Sequence, residues 1–270
     1  MEKYNSIIFA GETERDKVIS EMEGVPKKPF LKLGNKIFIE RVVEEIIKCE
    51  EIGDIYVSGM GEKDWKTDLP ITLVDDQSTL FRKVLNIYEN YIKKKKNYSE
   101  ITVLYSCDGP LIKAEMISRH IQKCKEASGG ELNGTFYYSI VRREVMENKF
   151  PNSKRSYATF KEFEVCGGDL IIINMEKMKN HEKLMDDLVE KRKNVLAQLV
   201  ILNPFMILRF LMKKLSVHKF MKSVNTRVFK IKEGIYAVLS DDPEIAMDVD
   251  KPHQLDEVRR FYSENKDLYD

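Results

Sequence analysis

The order of apolar segments predicts a three-layer α/β fold built on a mostly parallel sheet. Short apolar runs at residues 7–9 and 101–105 are typical of buried strands, and amphipathic helical patterns follow them. Regular alternation of strands and helices favours parallel strands joined by crossover helices. In such sheets ligands bind beyond the carboxyl ends of the strands, so the residues that follow each strand are the first candidates for function.

In the first half of the chain, strands and helices alternate without interruption. Strands are predicted at 7–9, 55–57, 71–74 and 101–105. Amphipathic helices are predicted to begin near 38, 80 and 116. Ser78 is a suitable N-cap for the second of these helices. The four lysines at 93–96 follow that helix, where positive charge complements the helix dipole.

The second half of the chain departs from this alternation. Strands are predicted at 135–141, 170–173 and 235–239, and a hairpin over 157–165. We interpret residues 1–270 as a single domain with a helical insertion at 176–232. The apolar stretch 195–215 contains Pro204 and polar residues, so it is too interrupted for a membrane span. A helical hairpin packed on the core is expected there; a lid or a homodimer face is the next alternative, and interfacial membrane contact is the least favoured.

Composition excludes several classes of protein. The chain has 45 Lys and Arg against 44 Asp and Glu, so no overall field attracts nucleic acid or an anionic membrane. The first residues lack the pattern of a signal peptide. The four cysteines are widely spaced, which predicts neither a zinc site nor a disulfide framework. A cytoplasmic protein without a nucleic-acid partner is therefore expected.

The beginning of the chain has the residues of a phosphate-binding turn. Ala10 and Gly11 follow the first strand, and small residues let a backbone pass close to a phosphate. Lys28 follows after a polar loop and offers a compact positive charge for an α-phosphate. The pair Ala10-Gly11 is also compatible with an ordinary tight turn.

Three aspartates are candidates for holding a hard cation. Asp108 follows the strand at 101–105, and Asp248 and Asp250 flank Val249 in a segment expected to be extended, where residues two apart face the same way. Two like charges on one face favour a bound cation, and Mg²⁺ prefers a few carboxylates together with phosphate oxygens. Turn-forming or helix-capping aspartates are the alternative for all three.

A basic and aromatic group, which includes Arg155 and Tyr157, is a candidate for binding an anionic acceptor. A solvated basic surface explains the same residues equally well. The four histidines show neither metal-ligand spacing nor a hydrolase triad.

Taken in order, these segments resemble the nucleotidyltransferase superfamily, and within it the MobA-like NTP transferases. Residues 9–12 and 26–36 resemble the opening L-A-G-G-x-G-x-R…P-K-x-L-L-x-x-x-G-x-P, with Lys28 at the signature lysine. Residues 108–111 resemble the metal-binding D-x-P-L, and 248–255 resemble the terminal D-[IV]-D-x-P-x-D-L. Residues 150–157 and the Gly167-Gly168-Asp169 segment are similar to an uncharacterised bacterial branch, in which Asn usually stands at the third position.

The resemblance implies a Rossmann-like α/β/α nucleotidyltransferase fold with a mixed, mostly parallel sheet. It implies Mg²⁺-dependent transfer of a nucleoside monophosphate from an NTP to a phosphorylated small-molecule acceptor, with release of pyrophosphate. The implied roles are these: catalysis by Lys28 and Asp108; metal binding by Asp108, Asp248 and Asp250; nucleotide binding by Ala10, Gly11, Glu12, Ser78 and Thr79; acceptor binding by Arg155, Tyr157, Gly167 and Gly168.

Two other functions stay open from the sequence. A nucleotide-sugar glycosyltransferase would use the D-x-D of Asp248 and Asp250 for its metal. A non-catalytic nucleotide-binding regulator is suggested by Glu12, which puts an acidic group where the family has glycine and where a phosphate would approach.

Overall fold

The computed structural model describes residues 3–11, 17–191, 195–202 and 204–269. The described residues form ten strands: β1 (Tyr4–Phe9), β2 (Lys32–Leu33), β3 (Lys36–Ile37), β4 (Ile52–Ser58), β5 (Thr72–Val74), β6 (Ile101–Ser106), β7 (Phe136–Arg142), β8 (Ala158–Thr159), β9 (Glu164–Asn174) and β10 (Ile235–Ser240). They form twelve α-helices: α1 (Lys17–Met22), α2 (Phe38–Lys48), α3 (Leu80–Ile87), α4 (Ala114–Ala127), α5 (Arg143–Lys149), α6 (Met175–Met178), α7 (Glu182–Glu190), α8 (Val195–Leu202), α9 (Ile207–Leu211), α10 (Val217–Ser223), α11 (Pro252–Glu264) and α12 (Lys266–Tyr269).

The main sheet is mixed and mostly parallel, as the sequence predicts. Its order is β10-β7-β9-β6-β1-β4-β5, with β8 paired to β9 and a separate small ribbon formed by β2 and β3. β9 runs antiparallel to β6, β7 and β8, whereas the pairs β1–β4, β1–β6, β4–β5 and β7–β10 are parallel. The carboxyl ends of β1, β4, β5, β6 and β7 therefore meet at one edge, which also receives the start of β9.

Helices cover both faces of the sheet, which confirms the three-layer prediction. Neighbouring residues of a strand point to opposite faces. Accordingly Ile8 packs in the cluster that includes α2 and α4, whereas Ile7 packs in the cluster that includes α3 and Met185 of α7. Continuous apolar runs are required because the central strands are buried on both sides.

The segment 176–232 packs on the second of these faces. Its first part contains α6, a 3-10 turn at Lys179–His181 and α7. In the stretch 195–215, α8 and α9 are separated by a 3-10 turn at Pro204–Met206, as the proline predicts. Leu199 and Leu215 are buried, but Phe205, Leu208 and Leu211 are exposed, so this stretch buries its apolar side chains only in part. Among the described residues, no helix has the length and apolar character needed to cross a membrane.

One helix boundary differs from the prediction. The residue that precedes α3 is Thr79 rather than Ser78, and its side chain does not cap the helix. Instead the Thr79 hydroxyl donates to Asp186 Oδ1 of α7 over 2.9 Å. Packing of the inserted helices against α3 thus replaces the local cap that propensity favours.

Candidate active site

Lys28 lies beside two of the predicted aspartates. It begins the 3-10 turn Lys28–Phe30, in which Pro29 fixes the backbone, and it is only 3% exposed. Its Nζ atom is 2.5 Å from Asp108 Oδ2 and 3.4 Å from Asp250 Oδ1. The adjacent Lys27 points elsewhere and pairs with Asp64 over 2.8 Å. The structure therefore places Lys28, and not Lys27, at the carboxylates.

The turn after β6 holds Asp108 in place. The buried Tyr105 hydroxyl donates to the Gly109 carbonyl oxygen over 3.1 Å. A Cβ at Gly109 would lie 2.2 Å from that hydroxyl, so the turn needs glycine. The carbonyl oxygen of Asp108 accepts from the Val249 amide over 3.0 Å. This bond joins the Asp108 turn to the segment that carries the other two aspartates.

The expectation that Asp248 and Asp250 lie in a strand is wrong. Residues 247–250 form no strand; they follow a 3-10 turn at Pro243–Ala246 and precede α11. Val249 is fully buried, and the Asp250 amide donates to Gln254 Oε1 over 2.9 Å. These contacts still direct both carboxylates to the site, because oxygens of Asp108, Asp248 and Asp250 all lie within 4.8 Å of one another.

Arg155 contacts this carboxylate cluster rather than open solvent. Its guanidinium pairs with Asp248 Oδ1, and its Nη2 lies 3.5 Å from the Gly167 carbonyl oxygen. Burial raises the pKa of Asp248, Arg155 opposes that rise, and the neighbouring Asp108 and Asp250 add to it. Arg155 thus offsets part of the cost of holding three aspartates together.

Asp169 is a fourth carboxylate at the site, and the sequence interpretation assigned it no role. Burial raises the pKa of Asp169 well above its usual range, and the charges of Asp248 and Asp108 raise it further. Its Oδ2 atom is buried and accepts no hydrogen bond from the described residues. The sequence contained one sign that Asp169 is unusual: it replaces the Asn that usually stands at the third position of the Gly-Gly-Asn segment.

The remaining residues predicted to bind the acceptor lie near Arg155 along the chain and on β9. A Cβ at Gly167 would lie 2.0 Å from the Tyr138 hydroxyl, and one at Gly168 would lie 2.5 Å from Ser139 Oγ. Packing of β9 against β7 therefore requires glycine at both positions. The Tyr157 hydroxyl is buried and has no hydrogen-bond partner among the described residues.

The predicted phosphate turn follows β1 at the same edge of the sheet. Ala10 is buried and its amide donates to the Ser58 carbonyl oxygen over 2.8 Å. Gly59, with φ +94°, lies against this turn: a Cβ there would be 2.7 Å from the Gly11 amide nitrogen. Glu12 lies outside the described residues.

A lysine that the sequence interpretation did not consider lies at this turn. Lys83 of α3 approaches Gly11 so closely that a Cβ at Gly11 would be 3.1 Å from the Lys83 Nζ atom. Burial lowers the pKa of Lys83, and Asp76 and Asp75 oppose that shift. Its only sequence signal is its position one turn after Thr79, whose carbonyl oxygen accepts from the Lys83 amide.

Ser78 and Thr79 follow β5 and so lie at the same edge of the sheet. The Ser78 hydroxyl is buried and has no partner among the described residues, whereas the Thr79 hydroxyl is bound to Asp186. Ser78 thus has an unused donor and acceptor, but Thr79 must break a contact before it binds a ligand.

The carboxylate cluster has the chemistry of a magnesium site. All three ligand groups are carboxylates, which suit a hard cation. Asp108 Oδ1 is buried and has no hydrogen-bond partner among the described residues, so one acceptor stays unused even with Lys28 in place. The residues present therefore fit Mg²⁺.

Comparison with known proteins identifies the fold through structure and not through sequence. No protein-family model matches the chain, and no curated protein matches it. A hypothetical transferase from Thermus thermophilus has a TM-score of 0.75 at 21% identity, over 94% of this chain and 99% of that one. CMP:2-keto-3-deoxy-manno-octonic acid synthetase complexed with CTP has a TM-score of 0.58 at 12% identity, over 98% and 100% of the two chains. A nucleotidyl transferase from Methanothermobacter has a TM-score of 0.55 at 10% identity, over 97% and 99%. The chain therefore has the fold of these three structures.

Proposed function

We propose that this protein is a MobA-like nucleotidyltransferase. It would move a nucleoside monophosphate from an NTP to a phosphorylated small-molecule acceptor and release pyrophosphate, with Mg²⁺ as cofactor. The observation that carries the proposal is the meeting of Lys28 with Asp108, Asp248 and Asp250 at the carboxyl edge of the sheet. Two similar structures are named as transferases, and a third is a CMP-sugar-acid synthetase solved with CTP.

The separation of these residues in the chain argues for a built site. Lys28 and Asp108 are 80 positions apart, and Lys28 and Asp250 are 222 positions apart. Bringing three carboxylates together costs free energy, since like charges repel and burial removes them from water. A structural role would be met with a single ion pair, so the extra carboxylates favour a cation-dependent function.

In the proposed reaction an oxygen of the acceptor's phosphate attacks the α-phosphorus of the NTP. A new phosphorus–oxygen bond forms, the bond from the α-phosphorus to the bridging oxygen breaks, and pyrophosphate leaves with that electron pair. The Lys28 ammonium would turn from Asp108 to the non-bridging α-phosphate oxygens, where negative charge develops. Positioning and electrostatics thus supply the catalysis, and no covalent intermediate with the protein is required.

Asp108, Asp248 and Asp250 would hold Mg²⁺, which when bound supplies positive charge to the phosphates and orients them. Arg155 would keep Asp248 in place and present its other N–H donors to the acceptor phosphate. Tyr157 lies near it in the chain and has an unused hydroxyl.

The edge formed by Ala10 and Gly11 would receive the triphosphate. Lys83 adds a second positive charge there, close to the Gly11 backbone. The buried hydroxyl of Ser78 is available to the base or ribose, and Thr79 would join it after leaving Asp186.

The test is acceptor-dependent pyrophosphate release. The protein is incubated with Mg²⁺ and each of ATP, CTP, GTP and UTP, together with pooled sugar phosphates and cofactor phosphates. We expect release from at least one NTP, and its loss in Lys28→Ala and Asp108→Asn. Lys27→Ala is the matched control, because this neighbouring lysine pairs with Asp64 away from the cluster. Equal losses in the two lysine variants would contradict the proposal.

A second function is tested by a parallel assay in which nucleotide-sugars replace the NTPs. The D-x-D formed by Asp248 and Asp250 also suits a nucleotide-sugar glycosyltransferase. Sugar release from a nucleotide-sugar, without pyrophosphate release from any NTP, would favour that activity. Binding of an NTP without any turnover would favour a regulator.

A further inference from the structure

The strongest unexplained feature is an exposed apolar patch on the inserted helices, which we define as Phe205, Leu208, Leu211 and Met212. Their exposed fractions are 81%, 67%, 60% and 48%. The spacing of three or four residues puts them on one side of the turn and of α9. Few large apolar side chains of the described residues are so exposed, and no others form such a group.

The opposite side of α9 is anchored to the rest of the protein. The Phe210 ring packs 6.2 Å from the Phe160 ring, and the Lys161 amide donates to the Leu215 carbonyl oxygen over 2.9 Å. The patch is therefore displayed from a supported element. The exposure of the patch is therefore compatible with a helix that is held in place on its other side.

Along the chain, the charged residues on both sides of the patch are all positive. From Lys191 to Lys232 the sequence contains eleven of the chain's 45 Lys and Arg and none of its 44 Asp and Glu. The rest of the chain consequently carries a net negative charge, which the overall value of +1 conceals. Such a local excess attracts an anionic surface even when the whole protein is nearly neutral.

These basic side chains are directed to solvent. Arg209, Lys213 and Lys214 lie within or directly after the patch, Lys219 follows on α10, and all four are exposed. None of the four forms a salt bridge with another described residue. Their charge is therefore available to an external partner.

We propose that this surface docks on an anionic phospholipid bilayer. Apolar side chains would enter the boundary between headgroups and acyl chains, and the surrounding lysines and arginine would contact the lipid phosphates. A second copy of this chain is the weaker fit, because two such surfaces brought together would oppose positive charge to positive charge. The proposal is independent of the nucleotidyltransferase reaction.

Vesicle flotation of the full chain tests the proposal. We expect binding to vesicles of phosphatidylcholine mixed with phosphatidylglycerol, weaker binding at high salt, and none to phosphatidylcholine alone. Leu208→Ser should weaken partitioning about tenfold. Its control is Leu268→Ser, since Leu268 is equally exposed, at 65%, and lies outside the patch.

Charge is tested with a matched pair of double variants. Lys214→Glu with Lys219→Glu should weaken partitioning at least about tenfold, because two charges change sign and the net charge of the surface falls by four units. Lys94→Glu with Lys96→Glu alters two exposed lysines elsewhere and should leave partitioning unchanged. Circular dichroism of each variant verifies folding.

Three results would overturn the proposal. One is the absence of vesicle binding by the folded protein. Another is an equal loss in the patch variants and their controls. The third is a dimer in sedimentation that Leu208→Ser converts to a monomer while vesicle binding is absent, which would assign the surface to self-association.

Discussion

Replacing Lys28 with alanine should lower stability, and Mg²⁺ should restore part of the loss. The Lys28 side chain is 4% exposed and its partner Asp108 is 13% exposed, with 2.5 Å between Nζ and Oδ2. Removing one partner of a buried ion pair costs about 3–5 kcal/mol. Asp250 is 28% exposed, so water reaches the cluster and favours the lower value of about 3 kcal/mol.

This free energy corresponds to a measurable change in Tm. At about 2–4 °C per kcal/mol for a chain near this size, Lys28→Ala should lower Tm by about 6–12 °C in EDTA. Lys27→Ala is the control: its salt bridge with Asp64 is 30% and 27% exposed, and such bridges contribute about 0–1 kcal/mol. Differential scanning calorimetry measures both variants.

Repeating the Tm measurement with added Mg²⁺ tests whether the lysine and the cation use the same carboxylates. A ligand that binds only the folded state stabilises it by RT ln(1 + [L]/Kd), where [L] is the free ligand concentration. Without the competing ammonium group, the increase in Tm on adding Mg²⁺ should be larger in Lys28→Ala than in the unsubstituted protein. An equal or smaller increase would refute shared carboxylates, and equal losses for the two lysine variants in EDTA would refute the buried pair.

Three further outcomes are expected from the structure. Gly59→Ala should cost more than about 2 kcal/mol in urea unfolding, because φ is +94° and the new Cβ would meet backbone at 2.7 Å; Gly24→Ala, at φ +66° with open space, should cost about 1 kcal/mol. Asp169→Asn should raise the free energy of unfolding by about 1–3 kcal/mol above neutral pH in EDTA, with little effect near pH 4. Tyr105→Phe should cost about 1 kcal/mol by removing the hydroxyl that donates to Gly109.

The sign of the Asp169 prediction follows from its raised pKa. A carboxyl whose folded-state pKa exceeds its unfolded value of about 3.9 is most favourable below that value, and stability is lost as pH rises through the folded pKa. The asparagine variant cannot ionise, so its stability should vary less with pH. A lower stability at neutral pH would contradict this reasoning, as would equal costs for the two glycine variants.

Local patterns in the sequence were sufficient for the layers of the fold. A strand buried on both sides of the sheet requires a continuous apolar run. A helix that packs on the sheet requires apolar residues with a period of about 3.6 residues. Both signals therefore lie within a few neighbouring residues. Pro204 similarly predicted the break between α8 and α9, because the missing amide acts locally.

The same local reasoning was insufficient where contacts between distant segments determine the local conformation. Ser78 is the better N-cap by propensity, but α3 begins after Thr79, whose hydroxyl is bound to Asp186 of α7. The segment with Asp248 and Asp250 reads as a strand, yet it makes a single backbone bond to Asp108 and joins no sheet.

What the sequence by itself determined is the order of elements and the identity of three aspartates and a lysine that meet at one edge of the sheet. Only the tertiary structure decided that Arg155 pairs with Asp248 and that Asp169 joins the cluster. The physical reason is range. Propensity and periodicity act over a few residues, whereas a charge responds to whatever the fold brings within a few ångströms, from any distance along the chain.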